Sequence, residues 1–391
     1  KTSTAWWLAQ ALSGLEADHA IPCGLVGTLG VGRPPDLLST GMTTPDPVLL
    51  QRQFRCFVDQ GLRACAIEAS SIGLAERRLD GTRIKLAVFT NFTHDHLDYH
   101  GTMHAYWRAK AELFAWPGLK TAVVNLDDPK ASEVLSILSR QAVETWTCSR
   151  RGAARLRASD VHYRDSGLAF TVTEGEVSVP LRTRLVGEFN VANLLGVIGA
   201  MRAMGVPLTR SIEACSKLAP VPGRMDCVGG SGQPLVAVDY AHTPDALEQA
   251  LLALRPLARG RGGQLWCVFG CGGDRDVAKR PLMGHLAHQH ADHVVLTSDN
   301  PRSEEPMSII QAIRAGLKHD DRLTVESDRG RAIAHALTQA RVDDVVLIAG
   351  KGHEDYQETA GIRQPFSDKD CALGILRRIG ASPVRLDGGT A

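Results

Sequence analysis

Short apolar runs alternate with stretches of helical periodicity along the first half of the chain. The runs "CGLVGTLG", "ACAIEAS", "LAVFTNF" and "TAVVNLDD" are bounded by turn residues, as buried strands are. Between them, "PVLLQRQFRCFVDQGL" and "TMHAYWRAKAELF" place apolar residues at helical spacing. The opening "KTSTAWWLAQALSGL" predicts a further helix, with its first turn exposed. This alternation predicts an α/β domain with a largely parallel sheet.

The hydrophobic pattern changes after residue 150. Residues 151–187 alternate between apolar and polar positions at period two, which predicts a small antiparallel meander. The stretch from Asn190 to about Leu218 returns to helical spacing and predicts a pair of helices. These elements would complete the first domain.

The segment "APVPGRMDCV" separates this region from a second α/β series. Two prolines and a glycine within four residues suit a linker or hinge. Further strands are predicted in "PLVAVDYAH", "LWCVFGCGG", "HVVLTSDNP" and "DDVVLIAGKGH". We therefore predict two domains, residues 1–220 and residues 221–391. Because open parallel sheets bind ligands at the carboxyl ends of their strands, the polar residues that end these four strands are the predicted site of the second domain.

Composition narrows the class of protein. The 391 residues carry 44 basic and 43 acidic side chains, a balance that argues against nucleic acid as the main partner. No apolar run approaches the ~18 residues that cross a bilayer. The nine cysteines are dispersed and form no CxxC pair, which is typical of free thiols in a reducing compartment. We expect a cytoplasmic, monomeric protein that binds neither nucleic acid nor membrane.

The strand ends of the second domain carry groups that suit a zwitterion. Asp299 can bind an ammonium group, and Arg302 can hold a carboxylate at two points, with Asn300 between them. An alternative for this segment is a helix N-cap with surface charges. Arg275, in the glycine-rich "VFGCGGDRDVAKRP", could likewise grip a carboxylate or be a solvated arginine. Glu354, in "IAGKGHEDYQ", could bind an ammonium group, or the segment could be a polar loop after an edge strand.

The first domain offers candidates for a metal and a phosphate. Glu68 ends a predicted strand and is a natural Mg²⁺ ligand there, although such glutamates are often solvated. The stretch "TNFTHDHLDYHG" holds three histidines and two aspartates within seven residues. Adjacent side chains point in different directions, so we expect one metal ligand at most from this stretch and structural roles for the rest. "KTS" at the start of an apolar helix resembles the end of a phosphate-binding loop, a weak signal when taken alone.

Taken in order, eleven motifs resemble those of the muramyl-peptide (Mur) ligases along nearly the whole chain. They are "KTST", "TTPDP", "EASS", "TNFTHDHLDYHG", "YWRAKAELF", "GEFNVANLLGV", "PGRMDCV", "VDYAHTPDALE", "GCGGDRDVAKRP", "DNPRSEEP" and "AGKGHEDYQ". The resemblance implies a central P-loop ATPase-type domain, here residues 1–220, and a C-terminal Rossmann-like domain, residues 221–391. The family's N-terminal uridine-binding domain and the glycines of its phosphate loop have no counterpart in this sequence.

The resemblance also implies roles in the first domain. Lys1 would end the ATP phosphate loop, and Lys1, His96 and Lys110 would be catalytic. Thr2, Glu68, His96 and Lys110 would bind two Mg²⁺ ions, Lys110 as a carbamate formed with CO₂. Asn193 would contact adenine. The residues that would face the muramyl peptide are Thr43, Thr44, Ser70 and Arg78. Glu76 stands where the family often has glutamine.

In the second domain, the resemblance implies that Arg224, Asp239 and His242 lie near the nucleotide. The residues that would hold the incoming amino acid are Arg275, Asp299, Asn300, Arg302, Gly350 and Glu354. "DNPR" is similar to the motif that selects meso-diaminopimelate. The implied reaction adds this amino acid to UDP-N-acetylmuramoyl-L-alanyl-D-glutamate. ATP would activate the D-glutamate carboxylate as an acyl phosphate, and closure at the linker would exclude water.

Four other functions remain open at this point. A lysine-adding muramyl ligase would leave Arg302 unexplained, because lysine has no distal carboxylate for this arginine to bind. A folylpolyglutamate-type ligase would share the architecture but not "DNPR" or "HDHLDYHG". A non-catalytic fragment or binding module would not need the phosphate loop. A metal-dependent hydrolase built on the histidines would leave the second domain unexplained.

Overall fold

The computed structural model describes residues 1–16, 19–164, 167–317 and 322–381. They divide into two compact units, Lys1–Val221 and a second that begins at Pro222. Each unit has its own sheets and hydrophobic core. None of the helices in these described ranges is long and apolar enough to span a membrane.

The first unit contains two sheets. Its strands are β1 (Cys23–Gly27), β2 (Gly30–Arg33), β3 (Asp36–Leu38), β4 (Ala64–Ile67), β5 (Leu86–Phe89), β6 (Thr121–Asn125), β7 (Glu144–Ser149), β8 (Leu156–Arg164), β9 (Gly167–Glu174) and β10 (Val177–Arg182). One sheet has the order β3-β2-β1-β4 and the other β10-β9-β8-β7-β6-β5. Strands β5 to β8 are parallel, and β8, β9 and β10 form the predicted antiparallel meander. Residues 165–166, between β8 and β9, lie outside the described residues.

Helices cover these sheets. They are α1 (Thr2–Ser13), α2 (Pro47–Asp59), α3 (Ser71–Ala75), α4 (Leu97–His100), α5 (Met103–Ala111), a 3₁₀ turn (Glu112–Ala115), α6 (Ala131–Leu138), α7 (Phe189–Ala203) and α8 (Leu208–Ser216). Strand β6 is buried on both faces, since Val123 belongs to the core beneath α1 and α7, and Ala122 and Val124 to the core beneath α5 and α6. An unbroken apolar strand is what this two-sided burial requires.

One prediction about α1 is wrong. Its first turn is not exposed: Thr2 and Thr4 retain only 7% and 5% of their accessible surface. Both hydroxyls turn inward, where Thr2 Oγ1 donates to Glu68 Oε2 at 2.9 Å and Thr4 Oγ1 to Asn193 Oδ1 at 3.4 Å. The helix therefore begins against polar side chains of its own unit, while Lys1 is exposed.

The second unit is a three-layer α/β fold with one six-stranded sheet in the order β11-β12-β16-β13-β14-β15. Its strands are β11 (Asp226–Gly229), β12 (Leu235–Asp239), β13 (Leu265–Phe269), β14 (His293–Leu296), β15 (Leu323–Val325), β16 (Val345–Ala349) and a separate hairpin of β17 (Tyr356–Thr359) and β18 (Ile362–Pro365). Its helices are α9 (Pro244–Arg261), α10 (Lys279–His290), α11 (Pro306–Arg314), α12 (Arg329–Gln339) and α13 (Asp368–Ala381).

The register of this sheet places the predicted strand ends together. All its strands are parallel except the edge strand β11. Ala349, the last residue of β16, lies opposite Asp239 on one side and Phe269 on the other, and Phe269 lies opposite Leu296. The polar residues that follow these strands therefore share one edge, as the sequence predicted.

Candidate functional site

Glu68 is the centre of a buried hydroxyl network in the first unit. Its side chain is 3% exposed, directly after strand β4. Oε2 accepts from Thr2 Oγ1 at 2.9 Å, and Oε1 accepts from Thr28 N at 2.8 Å. Thr28 Oγ1 lies 3.0 Å from Thr43 Oγ1. The carboxylate thus joins the start of α1 to the β1–β2 turn, and three residues predicted for the site meet here.

This arrangement fits the Mg²⁺ ion and the phosphate group that the sequence implies. A carboxylate and a threonine hydroxyl are oxygen donors of the kind that Mg²⁺ prefers. Helix α1, which starts at Thr2, has no acidic residue in its first turn, and Lys1 precedes it. A helix N-terminus that follows a lysine and has no acidic residue in its own first turn suits a phosphate group.

Thr44 and Ser70 form a second pair of hydroxyl groups, with their oxygens 3.0 Å apart. Thr44 is fully buried; its hydroxyl donates to Glu68 O at 2.6 Å and accepts from Ser70 N at 3.0 Å. Ser70 Oγ caps α3 by accepting from Gly73 N. The resemblance implies that Thr44 faces the muramyl peptide, which stays a prediction; in this structure its hydroxyl holds the residues around it in place.

Arg78 is bound at both ends of its guanidinium. Nη1 donates to Thr44 O at 2.8 Å, while Nε and Nη2 donate to Glu76 Oε2 at 2.8 and 2.5 Å. Glu76, which stands where the family often has glutamine, is therefore paired with a cation.

The histidine-rich stretch does not form a metal cluster. Among the described residues, no group of three or more His, Cys, Asp or Glu side chains is arranged to hold a metal ion. His96 adopts a left-handed conformation (φ 54°) before α4, and its Nε2 lies 3.5 Å from Asp95 Oδ2. His100 stacks on Tyr106 and places Nε2 3.0 Å from Ser71 Oγ. His100 thus has the kind of structural role that the sequence predicted for most of this stretch.

Lys110 has an unusual electrostatic environment. Its amine lies 5.3 Å from the ring centroid of Tyr106 and 5.9 Å from that of Phe92. Burial, followed by the charge of Lys1, lowers the pKa of Lys110 from 10.5 to about 7, against the opposing effect of Asp95 and Asp128. A large fraction of the amine is therefore uncharged and nucleophilic at neutral pH. The sequence located this residue but gave no sign of its altered pKa.

Asn193 lies on α7 within a chain of side-chain amides. Its Oδ1 accepts from Thr4 Oγ1, and its Nδ2 donates to Asn190 Oδ1 at 2.9 Å. Asn190 Nδ2 in turn donates to Val186 O at 2.7 Å. These hydrogen bonds tie Asn193 to the first turn of α1, the helix that follows Lys1.

Arg224, Asp239 and His242 lie close together in the second unit. The guanidinium of Arg224 lies 4.7 Å from the ring centroid of Tyr240. The ring centroid of His242 lies 4.7 Å from the same centroid. Asp239 Oδ2 accepts from Met225 N at 2.8 Å. Burial raises the pKa of Asp239, an effect that the charge of Arg224 partly offsets.

Asp299, Asn300 and Glu354 converge at the carboxyl edge of the second sheet. Asn300 Nδ2 donates to Glu354 Oε2 at 2.8 Å across 54 residues of sequence. Asp299 Oδ1 accepts from Asn300 N at 2.7 Å, and Asp299 O accepts from Gln357 Nε2. Two carboxylates and an amide therefore form one polar group, in which Asp299 and Asn300 are buried and the partly exposed carboxylate of Glu354 suits an ammonium group.

Lys351 belongs to this group, and sequence reasoning left it out. It is fully buried, and its Nζ donates to Asn300 Oδ1 at 3.0 Å and to Glu354 Oε2 at 2.9 Å. The only available signal was its position between two glycines. Gly350 (φ 116°) and Gly352 (φ 54°) both adopt conformations that L side chains rarely take.

Arg302 and Arg275 lie beside this group. Arg302 N donates to Glu358 O at 3.0 Å, and Glu358 N donates to Asn300 Oδ1 at 3.0 Å, so one hairpin residue fixes both. Arg302 Nη1 donates to Gly273 O at 2.7 Å, in the glycine-rich loop that also contains the exposed Arg275. A Cβ at Gly350 would lie 2.4 Å from Asp299 Oδ2, so a glycine is required there for close approach.

Comparison with known proteins gives the same family for both units. Residues 1–201 match the Mur ligase middle domain, and residues 223–352 match the "Mur ligase, glutamate ligase domain". The chain is 60% identical over 384 residues to UDP-N-acetylmuramoyl-L-alanyl-D-glutamate–2,6-diaminopimelate ligase of an Acidovorax species. The aligned region covers 97% of this chain and 76% of the relative.

Solved structures agree with this finding. A structure of UDP-N-acetylmuramoyl-L-alanyl-D-glutamate–2,6-diaminopimelate ligase matches with a TM-score of 0.69 at 38% identity, over 98% of this chain and 77% of that one. Folylpolyglutamate synthase of Mycobacterium tuberculosis matches with a TM-score of 0.67 at 18% identity, over 89% of this chain and 86% of that one. At that identity the second likeness concerns the fold alone.

Proposed function

The chain belongs to the Mur ligase family, and from that membership we propose that it joins meso-diaminopimelate to UDP-N-acetylmuramoyl-L-alanyl-D-glutamate. The reaction consumes ATP and forms an amide bond in a precursor of peptidoglycan. The observation that carries the choice of amino acid is the group formed by Asp299, Asn300 and Glu354, with Arg302 beside it. Acids for ammonium groups and an arginine for a distal carboxylate match a doubly zwitterionic amino acid.

In the first unit, we propose that Lys1 and the start of α1 hold the phosphates of ATP. Its γ-phosphoryl group passes to the D-glutamate carboxylate, so two anions must approach each other. Lys1 offsets part of that charge. Thr2, Glu68 and His96 would hold Mg²⁺, which supplies further charge neutralisation when bound. Asn193 would contact the adenine, and the hydroxyl network around Glu68 keeps these groups in place.

We propose that Lys110 is carbamylated. Its uncharged amine, favoured by a pKa of about 7, attacks CO₂ to form a C–N bond and releases one proton. The product is an anion at a position where the unmodified side chain is a cation. That carboxylate would be a further oxygen ligand for Mg²⁺. Thr43, Ser70 and Arg78 would face the muramyl peptide, with Thr44 positioning Ser70 and Arg78.

In the second unit, we propose that Asp299 and Glu354 bind ammonium groups of diaminopimelate, while Arg302 and Arg275 bind its carboxylates. Arg224, Asp239 and His242 would contact the nucleotide. The amine attacks the acyl phosphate, a tetrahedral intermediate forms, and phosphate leaves. Water would destroy the acyl phosphate, so the reaction requires that water be excluded from it.

The direct test is product formation by the protein expressed from its complete gene. ATP, UDP-N-acetylmuramoyl-L-alanyl-D-glutamate and meso-diaminopimelate should give the tripeptide product by mass spectrometry, with one phosphate released per amide bond. Omission of any one of the three should abolish the product. Phosphate release that depends on a folate substrate instead would favour a folylpolyglutamate-type ligase and overturn the proposal.

A further inference from the structure

We propose that Lys351 is a positioning residue for the amino-acid substrate, because with Asn300 it fixes which carboxylate oxygen of Glu354 that substrate meets. The inference deepens the proposed function and rests on the assignment of the amino-acid site to Asp299, Asn300 and Glu354. Lys351 itself is fully buried and so lies behind the exposed part of this polar group rather than on it.

The burial of Lys351 is the first step of the argument. A lysine without any exposed surface retains its charge only where a carboxylate and further acceptors replace water. Here Glu354 Oε2, Asn300 Oδ1 and the ring of Tyr356, with its centroid 5.3 Å from Nζ, surround the amine. Its carboxylate partner is therefore a residue of the proposed substrate site.

The amide of Asn300 is the second step. Its Oδ1 accepts from two donors, Lys351 Nζ and Glu358 N, both at 3.0 Å. A flipped amide would direct its NH₂ group at both donors, so this orientation is fixed. Nδ2 consequently points at Glu354 Oε2, to which it donates at 2.8 Å.

The carboxylate of Glu354 is the third step. Oε2 accepts from Lys351 and from Asn300, which fixes the carboxylate plane from one side. The side chain keeps 17% of its surface exposed, and Oε1 has no hydrogen-bond partner among the residues that the structure describes. Lys351 therefore leaves Oε1 as the atom that is presented to an ammonium group.

The backbone around Lys351 supports this role. A Cβ at Gly350 would meet Asp299 Oδ2 at 2.4 Å, and a Cβ at Gly352 would meet Tyr240 Cβ at 2.7 Å. The two glycines let the loop pass close to Asp299 on one side and Tyr240 on the other. The lysine between them reaches the interior from a loop that would otherwise leave it in solvent.

The test compares Lys351→Met with Lys369→Met in the protein expressed from its complete gene. Lys369 also forms an ion pair with a carboxylate of the second unit, Asp226, but contacts none of the proposed substrate residues. For K351M we expect the KM for meso-diaminopimelate to rise about tenfold or more. The KM values for ATP and for the muramyl substrate should stay near those of the parent, as should all three in K369M.

A double-mutant cycle protects the test against misfolding. Glu354→Gln removes the carboxylate alone, and the double variant K351M/E354Q removes both members of the ion pair. If Lys351 acts through Glu354, the effects of K351M and E354Q on kcat/KM for meso-diaminopimelate are non-additive, and the double variant is no worse than the poorer single one. Should K351M fail to fold, the proposal predicts that K351M/E354Q folds and resembles E354Q.

Two results would overturn the inference. One is an unchanged KM for meso-diaminopimelate in folded K351M. The other is an equal rise in all three KM values, or additive effects in the cycle, which would mean a general structural role. If the parent does not use meso-diaminopimelate at all, the proposed function fails instead, so the two failures are distinguishable.

Discussion

Replacement of Lys110 by methionine is expected to abolish ligation and at the same time to stabilise the fold at neutral pH. The pKa of Lys110 is lowered from 10.5 to about 7, chiefly by burial. Between these two values the unfolded chain binds a proton that the folded protein has released, so the stability of the parent rises with pH across this window. Methionine carries no such proton, so the variant lacks this rise.

The size of the effect follows from the two pKa values. Their difference corresponds to about 5 kcal/mol of folding free energy at 1.36 kcal/mol for each pH unit, of which about 4 kcal/mol applies at pH 7, where the folded-state amine is half protonated. Relaxation of the side chain and local hydration reduce this figure, so we treat it as an upper limit. Lys110→Met should therefore gain about 1 to 4 kcal/mol at pH 7 and nothing near pH 10.5.

Urea unfolding at several pH values between 6.5 and 9.5 measures this change, in buffer depleted of CO₂ so that the amine is unmodified. Lys120→Met, which removes an exposed lysine of the same unit, is the matched control and should follow the parent. A Lys110→Met variant that is less stable than the parent at pH 7, or whose stability depends on pH as the parent's does, would refute the altered pKa. Full ligase activity without added carboxylate would refute the carbamate.

The remaining predictions concern the second unit. Arg329→Met should destabilise it by about 3–5 kcal/mol, because Asp368 is left buried without its partner. Hydrogen exchange in β16 measures this, and Arg363→Met, which removes an exposed arginine from an ion pair of the same unit, should leave that exchange nearly unchanged; equal effects would contradict the reasoning. Gly350→Ala should cost about 1–3 kcal/mol and raise the KM for the amino acid, since its Cβ would collide with Asp299. A normal KM in that variant would count against this placement of the site.

The sequence predicts most of the fold for a physical reason. Buried parallel strands such as β6 and β16 need unbroken apolar runs, and those runs are visible in the chain. The hairpin of β17 and β18 was not predicted, since its residues are mostly polar and only partly buried or exposed. Its role is to bring Glu358 to Asn300, a contact across 58 residues.

The candidate site was less predictable from the sequence. The acids and arginines at the strand ends were identifiable because their residue types match the substrate's charges. The burial of Thr44 and Lys351 and the lowered pKa of Lys110 were not, because each depends on contacts with residues distant in sequence. From the sequence alone, a lysine between two glycines predicts a solvated loop. Its burial becomes visible only in the structure, where Asn300 and Glu354 contact its amine.

Competition between two amino acids tests the central claim most directly. The protein expressed from its complete gene is given ATP, UDP-N-acetylmuramoyl-L-alanyl-D-glutamate and equal concentrations of meso-diaminopimelate and L-lysine, and the products are separated by mass. Because Arg302 can pair with a distal carboxylate that lysine lacks, the diaminopimelate product should predominate by about tenfold or more. Equal amounts of the two products, or an excess of the lysine product, would contradict this account.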